Sequence, residues 1–83
     1  MELYLTRHAR NRMRLYDIHA EEVLAALANP DQMTAGAFGH QQAWKRRTHE
    51  GWLRITFRDE GQRRVVITVT PKRRLPAGGH HAD

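Results

Sequence analysis

The sequence has no cysteine, which removes a disulfide framework and any thiolate metal site as sources of stability. No apolar run approaches the ~18–20 residues that cross a membrane as a helix. The opening residues carry charges where a signal peptide needs its apolar stretch. No Gly-rich phosphate loop, nucleophile elbow or internal repeat is present. The 6 histidines (His8, His19, His40, His49, His80 and His81) show no zinc-ligand spacing with a convincing partner. These absences lead to the expectation of a soluble, cytoplasmic protein with no metal and no cofactor.

What remains is short and basic. A chain of 83 residues makes one domain, and at this size folding buries only ~60–65% of the surface that the unfolded chain exposes. Lys and Arg number 14 against 9 Asp and Glu, a formal charge of +5, with a pI near 10.7. Of the cations only Lys45 and Lys72 are lysine. Arg holds phosphate through a planar fork where Lys acts as a point charge, so among partners the composition favours nucleic acid. A genome rich in arginine codons would write the same composition.

Met1–Leu5 reads as a short extended lead-in, and Thr6 stands where a helix N-cap should. Leu5, Ala9, Met13 and Tyr16 then form one narrow stripe on a helix over residues 7–15, otherwise filled with Arg7, Arg10, Arg12 and Arg14. Ala20, Val23, Leu24, Leu27 and Ala28 trace the core stripe of a second helix. Glu21 and Glu22 suit its first turn, His19 takes the cap position, and Asn29-Pro30 ends it. Beyond Pro30 the period becomes that of strands: Asp31–Ala35, Gln41–Thr48, Trp52–Arg58 and Arg64–Thr70, with Asp59-Glu60-Gly61 as a hairpin turn. The β-branched run Val65–Val69 suits a central strand covered on both faces. From Pro71 the periodicity stops, and Lys72-Arg73-Arg74 through His80-His81 read as a flexible basic tail. The expected fold is α+β, two N-terminal helices packed on a four-stranded antiparallel sheet spanning residues 1–70.

Two groups of residues carry possible chemistry. His8 and Arg12 lie four apart and share a helix face beside the core stripe of Ala9 and Met13. A neutral imidazole next to a phosphate-holding Arg is what cleavage at an RNA 2′-hydroxyl requires; a surface histidine near its helix cap gives the same pattern. On the strands, alternation sends Lys45 and Arg47 to one face and Arg46 to the other. Arg54 and Arg58 point together, away from Leu53, Ile55 and Phe57. With Trp52 among them and Arg10 on the helix, these cations make a platform for phosphates and a stacked base, or an ordinary solvated face. Thr68 and Thr70 share a face of the closing strand, where a hydroxyl more often satisfies a local hydrogen bond.

The order Thr6-x-His8-Ala9-x-x-Arg12-Met13, then Ile18, then the Glu21-Glu22-Val23 helix ending in Asn29-Pro30, and finally Val65-Val66-Ile67-Thr68-Val69, resembles domain-of-unknown-function family 4258 over roughly residues 5–70. That family is similar to the RelE, colicin D and barnase-like ribonuclease toxin superfamily. The resemblance implies a toxin-like ribonuclease, with His8 and Arg12 in the helix motif and Thr68 at the closing strand's polar position. Arg46 or Arg47, together with Arg54, would supply the basic strand positions. Where the family pattern carries Gly before Ile18 and a Ser or Thr cap after it, this chain has Asp17 and His19.

The resulting expectation is metal-independent RNA cleavage. His8 acts as general base or acid, Arg12 and Arg47 hold the scissile phosphate, and Thr68 positions a phosphate oxygen or an Arg. Arg10, Lys45, Arg46, Trp52, Arg54 and Arg58 contact the nucleic acid. The partners are RNA, free or on the ribosome, and an antitoxin protein. A non-catalytic nucleic-acid-binding module and a protein-interaction domain are the alternatives.

Overall fold

The computed structural model describes residues 2–49 and 51–76. The chain runs β1 (Glu2–Leu5), α1 (Arg7–Leu15), α2 (Ala20–Ala28), β2 (Gln32–Ala35), a 3₁₀ turn (Ala37–Gly39), β3 (Gln41–Arg46), β4 (Trp52–Glu60) and β5 (Arg63–Lys72). The strands form one sheet in the order β1-β5-β4-β3-β2. Neighbours are antiparallel except β1, which pairs parallel to β5 from Glu2↔Arg63 to Leu5↔Val66. The expectation of four antiparallel strands is therefore corrected to a five-stranded mixed sheet. The lead-in is itself a strand: Leu3 and Leu5 pack toward the core while Tyr4 turns outward, at 47% exposure. It closes the edge that β5 would otherwise leave bare, so β5 is interior, as its β-branched run suggested.

One side chain ties α1 to this sheet. Opposite Thr56 and Phe57 the register of β5 slips, with Thr56 facing Thr68 and Phe57 facing Val66, so Ile67 bulges out of the pairing. A bulged residue leaves backbone groups in need of partners. The Thr6 hydroxyl donates to the Ile67 carbonyl at 3.0 Å and accepts from the Ala9 N–H at 3.0 Å. Thr6 thus caps α1 and satisfies the bulge together. The Thr6 N–H also donates to the Val66 carbonyl at 3.1 Å, one step beyond the β1–β5 ladder.

α1 ends in a Schellman turn, in which a left-handed residue after the cap lets two N–H groups reach back to orphan carbonyls. Asp17 adopts φ 55°, Ile18 donates to Met13 at 2.8 Å and Asp17 to Arg14 at 3.4 Å. Asp is among the few residues other than Gly that enter this region readily, which is how Asp17 fills a glycine position. α2 then starts at His19, which caps by backbone shape alone, with no side-chain bond.

Both helices cover the same face. Ala9, Ile18, Val23 and Ala26 meet Ala43, Leu53, Ile55, Phe57, Val66 and Val69 in a single buried cluster. Each large member stabilises the fold by ~1.5–3 kcal/mol of apolar burial. The expected turn at Asp59-Glu60-Gly61 is also shifted. β4 continues to Glu60, because Asp59 lies across from Arg64 and Glu60 from Arg63, and opposite charges in register support pairing. Gly61 makes the turn at φ 62°. At the far end β5 extends through Pro71 and Lys72, two residues past the Thr70 end that the sequence pattern predicts; residues 77–83, with His80-His81, lie outside the described residues.

Candidate nucleic-acid interface

No described helix covers the opposite face of the sheet, and toward the β3–β4 hairpin three cross-strand rows of side chains line it. Arg46, Trp52 and Lys72 form the first, Trp44, Arg54 and Thr70 the second, and Gln42, Thr56 and Thr68 the third. Within a row, neighbours stand one strand apart, ~4.8 Å, and successive rows are two residues along the strand, ~6.8 Å. Cation and aromatic ring therefore alternate in both directions. The Arg46 guanidinium lies 5.6 Å from the Trp52 ring centroid, and that of Arg54 lies 5.8 Å from Trp44.

Trp44 anchors this patch. It is only 2% exposed although it faces away from the helices. Its indole Nε1 donates to the Thr34 hydroxyl at 2.8 Å, which in turn donates to the Gln42 side-chain oxygen at 3.0 Å. The ring is thus fixed from the edge strand β2. Arg54 differs: its Nε is buried with no hydrogen-bond partner. Leaving a charged donor unpaired costs more than the ~1–3 kcal/mol of a neutral one, so the contact with the Trp44 ring is what holds this guanidinium in place.

The other sequence-selected residues divide among three places. His8 and Arg12 do meet: the Arg12 Nε donates to His8 Nε2 at 3.4 Å, and Arg12 Nη1 reaches the Tyr16 hydroxyl at 3.4 Å. This ladder, with exposed Arg10, runs along the surface of α1, on the helix side of the sheet. Arg47 also lies on the helix side. Its Nε and Nη2 donate to the two carboxylate oxygens of Glu22, at 2.7 and 3.3 Å, a bidentate pair at the start of α2. Lys45 donates to the Asn29 carbonyl at 2.9 Å and pairs with Asp31 at 3.7 Å, at the C-terminal end of α2 where a cation is favoured. Thr68 stands on the open face opposite Thr56. No hydrogen bond among the described residues joins the His8–Arg12 pair to Arg47 or Thr68.

Arg58 is likewise on the open face, but it is bound to Glu60. Trp44, Glu22, Gly51, Lys72 and Arg73 complete the arrangement and were not selected from the sequence. Trp44 alternates with Arg46 just as Trp52 does with Arg54, so strand periodicity contained that signal. The Glu22–Arg47 pair spans 25 residues and left no local pattern. Among the described residues no three His, Cys, Asp or Glu gather as a metal site, and no helix is long and apolar enough to cross a membrane.

The fold and this surface define a small basic α+β domain with one helix-covered and one open, arginine- and tryptophan-bearing sheet face. The chain belongs to the family described as Domain of unknown function (DUF4258), whose pattern matches residues 5–71. No curated protein and no solved structure matches it.

Proposed function

We propose that this domain binds single-stranded RNA on the open sheet face, as a toxin-like ribonuclease does its substrate. The observation that carries the reading is the half-buried Arg54 guanidinium, held over Trp44 in line with Arg46 over Trp52, neither guanidinium having a carboxylate partner among the described residues. A phosphate oxygen against the solvent-facing part of this half-buried guanidinium supplies a counter-charge that the described residues do not, and Trp52 offers a ring for a base. Base–aromatic stacking is worth ~1–3 kcal/mol per base and tolerates any sequence. Arg46 and Lys72 extend the same track by one row.

Cleavage is the finer part of the proposal and rests on the hydrogen-bonded His8–Arg12 pair, which lies on the helix side, so a strand held on the open face must pass round the edge of the sheet to reach it. In that reaction His8 removes the 2′-hydroxyl proton, the 2′-oxygen attacks phosphorus, and the P–O5′ bond breaks as the 5′-oxygen takes a proton from water. The products are a 2′,3′-cyclic phosphate and a 5′-hydroxyl. Arg12 lies beside the imidazole, where it can hold the phosphate.

Incubating the protein with RNA and a matched DNA, in EDTA and alongside His8→Ala, tests both parts. RNA-only cleavage with cyclic ends, reduced ~10²–10⁴-fold in the variant, is the expected result for a catalytic His8. A variant within tenfold of the parent removes His8 from the chemistry. RNA that is bound but intact leaves a binding module, and RNA that neither binds nor is cut ends the RNA reading.

A further inference from the structure

Where the β3–β4 hairpin meets the end of β5, the surface folds into a hollow of about 460 Å³ lined by Arg47, Gly51, Trp52, Pro71, Lys72 and Arg73. Gly51 makes the corner tight. At φ 76° it occupies a backbone region disfavoured for L side chains, and a Cβ there would lie 2.6 Å from the Lys72 carbonyl oxygen. Its own carbonyl accepts the Arg47 N–H at 3.1 Å. The hairpin is thereby drawn against β5, and three cationic residues and one indole border the same space.

The charges in this hollow are not equal. Arg47 is already matched by the Glu22 carboxylate on its helix side. Lys72 and Arg73 have no carboxylate within ion-pairing distance among the described residues. Two positive charges are thus without a counter-charge among the described residues. An internal phosphodiester brings one negative charge, whereas a phosphomonoester carries about −1.5 to −2 at neutral pH. The hollow also adjoins the first row of the open face, since Trp52 and Lys72 belong to both.

We propose that this hollow is a phosphomonoester subsite, taking the terminal phosphate of an RNA strand with its last base against Trp52. The proposal rests on the RNA reading of the open face and adds to it an end preference. A strand lying across the rows would finish at Arg46, Trp52 and Lys72, with its terminal phosphate beyond them between Lys72 and Arg73.

The test uses one short RNA sequence in three forms: 5′-phosphorylated, 3′-phosphorylated, and with hydroxyls at both ends. Affinities are measured on the whole protein. One phosphorylated form should bind roughly tenfold tighter than the hydroxyl form, the scale of one charge-assisted hydrogen bond. Which end carries the advantage gives the strand polarity. Arg73→Gln should abolish that advantage and lower the hydroxyl form's affinity far less than the phosphorylated form's, while Lys72→Gln lowers both to a similar degree.

Gly51→Ala, checked for an unaltered fold by circular dichroism, should also remove the end preference, because the corner must open. Adenosine 5′-monophosphate titrated alone separates sources. Affinity equal to that of the phosphorylated strand would assign the hollow to free nucleotides, and much weaker binding assigns it to RNA ends. Equal affinity for all three strands overturns the subsite and leaves RNA binding standing. No binding of any form overturns both.

Discussion

The two ends of the sheet treat arginine in opposite ways. At the β4–β5 hairpin Arg58, Arg63 and Arg64 are all tied to Asp59 or Glu60. Arg64 also lies 4.4 Å over Phe57. At the other end Arg46 and Arg54 rest on tryptophan rings, and the charged groups of Arg46, Arg54, Lys72 and Arg73 form no ion pair with a carboxylate among the described residues. Arginine count alone treats these ends as equal. Pairing separates them: the first end is electrically closed, and the second presents charge that a ligand can neutralise.

The largest expected effect concerns the two tryptophans, which share the open face but not the same role. Trp44 is buried and hydrogen-bonded through Thr34, so Trp44→Ala should lower stability by ~3–5 kcal/mol, read from denaturant unfolding. Trp52 is half-buried, and Trp52→Ala should cost roughly 1 kcal/mol of stability while weakening RNA binding by ~1–3 kcal/mol. Equal stability losses in the two variants would erase the distinction between anchor and platform.

Much of this architecture was readable from the chain. α1 and α2 appear where their apolar steps and their Thr6, Asn29 and Pro30 signals put them, because cap chemistry and helical period are local. The alternation of Leu53, Ile55 and Phe57 likewise oriented β4. What escaped was non-local. β1 has only four residues and becomes a strand through β5, sixty positions away. The bulge at Ile67 is stabilised by a Thr6 hydroxyl from the start of the chain. For the candidate site, Arg46, Trp52 and Arg54 were legible as an exposed face. Sequence offered no sign that Arg47 and Lys45 would be engaged by Glu22 and by Asn29 and Asp31.

Exchanging arginines between the two ends tests the contrast directly. Arg46→Gln with Arg54→Gln should reduce RNA affinity roughly a hundredfold, since each charged hydrogen bond is worth ~1.5–3 kcal/mol. Arg58→Gln with Arg63→Gln should change it less than about threefold, because exposed ion pairs contribute little. The salt dependence sharpens the same point. Removing a true phosphate contact lowers the log–log slope by ~0.7 for single strands, so the first pair should flatten it and the second should not. Equal effects from both pairs would mean that total charge, rather than its placement, governs binding.

The smallest expected effect lies at the closed end and appears only in acid. The Arg64 guanidinium, by hydrogen bond and by charge, holds the Asp59 carboxyl below its ordinary value of 3.8 despite the opposing effect of burial. Arg58 and Arg63 do the same for Glu60, below its ordinary 4.5. A carboxyl whose value is depressed by folding contributes stability above its unfolded value and loses it as pH falls through the folded one. The hairpin's contribution is therefore complete at neutral pH and fades below about pH 4. For a partly exposed pair such as Asp59–Arg64 it should amount to less than ~1 kcal/mol. Asp59→Asn should lower the thermal midpoint slightly at neutral pH and converge with the parent in acid. The Arg46 backbone N–H donates to the Asp31 carboxylate at 2.8 Å, a bond that a side-chain substitution keeps. No carboxylate pairs with the Arg46 or Arg54 guanidinium among the described residues, so variants there should run parallel to the parent across the same range. A constant gap between Asp59→Asn and the parent at every pH would show that the pair is packing without electrostatic benefit, and the closed end would then be paired in geometry alone.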